Sequence, residues 1–142
     1  MDFNYWMDRV VNTEGANRVD LARKNLLIVL NDAEDILEIT KENHPLFTWS
    51  LVKLFVRADR AVTFEDYSFV TEVLNRPMSF EEFKKAMADA GDDEEREEFI
   101  DTAIDALSDK GKEAACIFGL CIMQSNDSLS SDEMKLFARI LK

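Results

Sequence analysis

The residues of this chain with chemical potential are mostly acids in two short polar stretches, "ADRAVTFED" (Ala58–Asp66) and "SNDSLSSDE" (Ser125–Glu133). The side-chain oxygens of Asp59, Asp66, Asn126, Asp127 and Glu133 are hard ligands of the kind Ca²⁺ or Mg²⁺ takes. An EF-hand is excluded. Setting Glu133 at the twelfth place of a calcium loop puts Ile122 first and Asp127 sixth, where an oxygen ligand and a glycine are needed. The first stretch fails in the same way, with Phe55 in first place. Any cation would need both stretches together. The competing reading is structural: Thr63 and Ser130 are helix N-caps, and the acids after them face the positive end of a helix dipole. "SSDE" from Ser130 is a complete capping box without a metal, so capping is the stronger reading.

A second candidate is an acidic run. Ser79 to Asp109 holds 12 acidic and 3 basic residues, which accounts for most of the chain's net charge of -12. Glu94, Glu98, Asp101 and Asp105 recur on one helical face. Such runs are usually solvated surface; as a functional feature this one would dock a basic protein partner. Catalytic sets are thin. His44 is the single histidine and sits beside Pro45 at a helix end, which favours a capping role. No Ser-His-Asp set, glycine-rich phosphate loop or Cys/His metal spacing occurs. Cys116 and Cys121 lie five apart in an apolar run, point in different directions on a helix and cannot bridge each other. The chain reads as a non-enzyme with no cofactor beyond a weakly held Ca²⁺ or Mg²⁺.

Composition narrows the partners. With 29 acidic against 17 basic residues, the surface repels phosphate backbones, which excludes nucleic acid and anionic membrane as partner classes. The longest uncharged apolar run, Ala114–Met123, is half of the roughly 20 residues a membrane span needs. The first residues lack the pattern of a signal peptide, and with two free thiols the expected location is the cytoplasm.

The elements that must position these residues are all helical. Phe3, Trp6, Met7 and Val10 recur at helical spacing, and "NTEGAN" makes a turn. Leu26, Val29, Leu30, Ala33, Ile36 and Leu37 form a stripe on a helix expected to run to His44-Pro45. Leu46–Ala58 is strongly apolar. Thr63 opens a further helix, and "SFEE" (Ser79–Glu82) is a capping box for another that ends at Gly91. Asp92 then starts the acidic helix, whose buried face is Phe99, Ile100, Ala103, Ile104 and Leu107 and which Gly111 should break. The expectation is one all-α domain of seven to eight helices.

The chain also matches itself at an offset of 67 residues. Val62 falls on Leu129, Thr63 on Ser130, Asp66 on Glu133, Val70 on Phe137 and Val73 on Ile140; upstream, Leu51 falls on Phe118 and Phe55 on Ile122. This divides the chain into an N-terminal helix and turn (1–17), a first repeat (26–75), a linking helix (79–91) and a second repeat (93–142), related by a pseudo-twofold. The two most apolar helices, Leu46–Ala58 and Ala114–Gln124, belong at the centre, since neither has a polar face for water.

An apolar helix ending in Ala-Asp, an aliphatic residue three places after the Asp, then Ser or Thr and a pair of acids resembles the tellurite-resistance TerB family. The matching residues are Asp59, Val62, Thr63, Glu65 and Asp66, and then Asn126, Leu129, Ser130, Asp132 and Glu133. Arg60 and Asp127 stand where the family has glycine, and Asn126 where it has Asp. The resemblance implies an all-helical, internally duplicated bundle, an association with tellurite and general stress resistance, and loop acids that gather on a cation. It brings no catalytic residues. The reading is a non-enzymatic interaction or stress-response module; a divalent-cation-binding or sensing domain comes second, and an immunity or scaffold protein third.

Overall fold

The helical periodicities become eight α-helices among the described residues of the computed structural model, which are 1–57, 62–89, 94–123 and 130–141. They are α1 (Phe3–Val11), α2 (Gly15–Leu37), α3 (His44–Arg57), α4 (Phe64–Val73), α5 (Phe80–Asp89), α6 (Glu94–Ala106), α7 (Asp109–Met123) and α8 (Ser131–Ile140). A 3-10 turn, Lys41–Asn43, joins α2 to α3. The fold is all-α. Among the described residues no helix is long and apolar enough to cross a membrane.

The centre of the bundle is α7. Every residue from Ala114 to Met123 is buried, so beyond its exposed first turn this helix shows water no face. The long α2 lies along it, and α1, α3, α4 and α8 pack around it. Gly119 of α7 lies against Phe55 of α3: a Cβ there would enter the ring of Phe55. Phe55 stacks in turn on Phe137 of α8, ring centroids 5.8 Å apart, and meets Phe118 edge-on at 6.4 Å. Burying each such ring contributes roughly 1.5–3 kcal/mol, so this knot of aromatics is a main source of stability. Helix α1 closes one side, with Val10 fully buried and Phe3 5.2 Å from Phe137.

Polar side chains fasten helix ends to this core. Arg23 of α2 donates from Nε and Nη2 to the carbonyls of Val73 and Glu72 at the end of α4, where the Glu72 carbonyl also accepts the Asn75 N–H. Asp32 of α2 accepts the backbone N–H and the hydroxyl of Ser108 at 2.8 and 2.9 Å, while Ser108 Oγ accepts the Gly111 N–H in the first turn of α7.

Several local expectations are corrected. Helix α2 stops at Leu37, because Glu38 turns into the left-handed region at φ 56°. His44-Pro45 then opens α3 instead of ending α2: proline's missing N–H costs nothing in a first turn. His44 is helical (φ −55°, ψ −45°) even though it precedes a proline. Gly111 does not break a helix; it lies inside α7, where its lack of a side chain leaves room for the Asp32 carboxylate. On α6 the residues Ile100, Ala103, Ile104 and Leu107 are buried as expected, but Phe99 is 47% exposed, and on α2 Ile36 also faces outward. Nor is burial on α3 a matter of polarity alone: apolar Leu46 is half-exposed, while Lys53 is buried.

Candidate functional site

The two polar stretches that drew attention in the sequence both lead into capped helices of the same construction. Thr63 precedes α4 in extended conformation (φ −97°, ψ 162°) and its hydroxyl accepts the N–H of Asp66 at 3.1 Å. Asp66 returns the favour, Oδ2 accepting the Thr63 N–H at 3.2 Å. Ser130 precedes α8 with nearly the same backbone angles (φ −77°, ψ 167°). Its hydroxyl accepts the Glu133 N–H at 3.1 Å, and Glu133 Oε1 accepts the Ser130 N–H at 2.7 Å. Two orphan amides are satisfied at each helix start.

Both third-position acids are 1% exposed, which a capping box on a free surface does not require. The reason is the apolar floor beneath them. In α4 the residues Phe69, Val70 and Val73 face the core; in α8 their counterparts at the 67-residue offset, Leu136, Phe137 and Ile140, do the same. The third helical position is on that inward side, one turn before Val70 or Phe137, so the acid follows it in. Desolvating a carboxylate is costly unless donors face it, and the cap amide is one such donor.

Of the five residues proposed for a cation, Asp66 and Glu133 are therefore placed, at equivalent positions, with one oxygen of each engaged in a cap. Asp59, Asn126 and Asp127 lie outside the described residues. Among the described residues no three His, Cys, Asp or Glu side chains come together in a way that would hold a metal. The described donors do not by themselves make a complete ligand set for Ca²⁺, which takes six to eight oxygens.

The acidic face of α6 is partly engaged within the molecule. Asp101 Oδ1 accepts a hydrogen bond from Arg139 Nη2 of α8 at 2.9 Å. Asp101, Asp105 and Arg139, with Ile104 and Ile140 below them, line a small cleft of about 160 Å³ between α6 and α8. Glu98 and Asp105 are exposed, and the Glu94 side chain lies outside the described set. The structure thus brings Asp101 and Asp105 together, with a cation from the same chain at one of them.

The remaining candidates resolve into structural roles. His44 Nε2, at the start of α3, sits 3.3 Å from Glu34 Oε1 of α2. Cys116 and Cys121 are free and fully buried in α7. Burial pushes each thiol up to about 12, helped at Cys116 by the nearby Glu113 charge and opposed at Cys121 by Arg18. At that value neither is a nucleophile at neutral pH. In α5 the Ser79 hydroxyl accepts the Glu82 N–H at 3.1 Å as expected, and Glu82 Oε1 is 3.2 Å from the same hydroxyl.

Sequence reading missed two features. One is Asp32, whose capping partner lies 76 residues away; the only local hint is Ser108 three places before a buried glycine. The other is an aromatic cluster on α4 and α5, in which Phe64, Tyr67 and Phe80 have their ring centroids 5.3–5.5 Å apart. Comparison of the chain with protein-family models, with curated proteins and with solved structures finds no match.

Proposed function

We propose that the chain is a non-enzymatic, TerB-like interaction module that presents an acidic helical surface to a basic protein partner. One observation carries this reading: Asp66 and Glu133, the acids best placed in sequence to do chemistry, each give an oxygen to a reciprocal capping box. The same box, the same offset and the same buried third acid also support an internal duplication, with α2–α4 paired to α6–α8. The duplicated frame holds α6 with Glu98 and Asp105 toward solvent, where charge steers a cationic partner more than it adds affinity. The expected setting is the cytoplasm, in a stress response. Charge reversal tests the reading. Glu98→Lys with Asp105→Lys should abolish capture of a basic partner in pull-down while leaving the circular dichroism unchanged; undiminished capture removes the α6 face from consideration.

A second reading, a divalent-cation sensor, has its own support in the 1% exposure of Asp66 and Glu133, because buried carboxylates at matched positions are what a bridged cation would need. Calorimetric titration of chelator-treated protein with Ca²⁺, Mg²⁺ and Mn²⁺ decides it. Heat of binding together with a raised melting temperature supports the sensor; no heat and no shift remove it.

A further inference from the structure

We infer that the exposed aromatic face of α4 and α5, centred on Phe64, seats an arginine-bearing segment of the basic partner. This inference rests on the reading of the chain as a module for such a partner. Phe64 is the first residue of α4 and is 58% exposed, although its ring packs edge-on against Phe80 at 5.5 Å and at a tilt against Tyr67 at 5.3 Å. The cluster is rigid beneath it: Tyr67 donates its hydroxyl to the Met78 carbonyl at 2.6 Å and leans on buried Phe83. The cap does not require an aromatic ring at this place. The counterpart of Phe64 on α8 is Ser131, and both helices carry the same cap.

The patch already shows which chemistry it accepts. Lys84 Nζ lies 4.7 Å from the centre of the Phe80 ring while pairing with Glu81 at 2.9 Å, so a cation is held between an aromatic face and a carboxylate. Phe64 with the exposed Glu65 beside it offers the same pair of groups, and among the described residues no cation lies over Phe64. A guanidinium fits this better than an ammonium, because it stacks flat on a ring and still donates to a carboxylate.

The test titrates the full chain with the peptide acetyl-Gly-Arg-Gly-Arg-Gly-amide, and with its leucine-for-arginine analogue, while NMR follows the backbone amide resonances together with the Phe and Tyr ring resonances. The expected result is saturable shifts at Phe64, Tyr67 and Phe80 with the arginine peptide only. Phe64→Leu, which keeps apolar area but removes the ring, should weaken binding about fivefold. Phe64→Ser should do at least as much. Equal binding of the leucine peptide would mean a neutral apolar occupant and overturn the inference. So would a concentration-dependent dimer that Phe64→Ser dissolves. Shifts confined to Glu98 and Asp105 would overturn it while leaving the proposed function standing on α6. No saturable binding of the arginine peptide anywhere would remove both.

Discussion

Asp32 caps α7 from another helix: its carboxylate takes the N–H and the hydroxyl of Ser108, and Gly111, one turn on, leaves it the room to do so. The start of the most buried helix in the molecule is thereby tied to α2, which runs along it. Gly111→Ala should destabilise the fold by about 1–3 kcal/mol, since the new methyl must displace that carboxylate. Asp32→Ala alone should cost roughly 1–2 kcal/mol through the lost cap. The two changes should not add. With the carboxylate gone, alanine at position 111 meets less obstruction and gains up to about 1 kcal/mol in helix propensity. Urea denaturation of both single variants and the double variant measures the coupling; strict additivity would mean that the two residues do not share the space.

The crossing of α3 and α7 has the same logic with an aromatic ring in place of the carboxylate. Gly119→Ala drives a methyl into Phe55 and should cost about 1–3 kcal/mol by overpacking. Phe55→Leu in the same chain should return part of that loss, although Phe55→Leu alone is destabilising because it gives up the stack on Phe137. Melting temperatures of the three variants check the order.

Thr63→Ala and Ser130→Ala should each lower stability by about 1 kcal/mol, the usual worth of an N-cap hydroxyl. If the caps are purely structural, neither variant changes any response to Ca²⁺, and Glu133→Gln behaves in the same way. A Ca²⁺-induced rise in melting temperature that is present in the parent chain and absent in Glu133→Gln would instead favour the cation reading. Differential scanning calorimetry with and without 5 mM Ca²⁺ (on the order of the weakest extracellular calcium sites) separates the two.

The buried thiols make stability fall in alkali. Both cysteines are pushed up to about 12 in the folded chain, against 9.0 for an ordinary thiol, because burial disfavours the thiolate. Below pH 9 both states hold the protons and pH has no leverage through these groups. Between pH 9 and 12 the unfolded chain releases protons that the folded chain keeps, so each thiol should lower stability by about 1.4 kcal/mol per pH unit. Comparing the alkaline slope of the parent with that of Cys116→Ala/Cys121→Ala isolates this effect from other titrating groups. The native protein should also resist a thiol-labelling reagent that modifies both residues once urea is added.

Local patterning carried the helices because an amphipathic period, a capping box and a stretch without polar residues are properties of neighbouring positions. The all-α class, the buried run from Ala114 to Met123, and the N-caps at Thr63 and Ser130 could all be read from the chain in order. So could the inward face of α6 at Ile100, Ala103, Ile104 and Leu107. Where neighbours compete, the pattern misled: Gly111 and His44-Pro45 look like helix stops, and in the fold both lie in first turns. A glycine or proline does not say by itself whether it ends one helix or begins the next.

What the tertiary structure alone decided is which polar groups go inside and what each one meets. Asp66 and Glu133 are buried because the core side of α4 and α8 includes the third helical position, and helix orientation is a property of packing. Asp32 finds Ser108, Arg23 finds the end of α4, and Asp101 finds Arg139 only once helices distant in sequence lie side by side. Phe64 reads in sequence as one more apolar residue after a cap. The arrangement of α4 against α5 is what leaves its ring outward beside Phe80, with Glu65 next to it. Periodicity is local and survives in one dimension; burial and partnership depend on which helices meet, and hydrophobic packing settles that only when the whole chain folds.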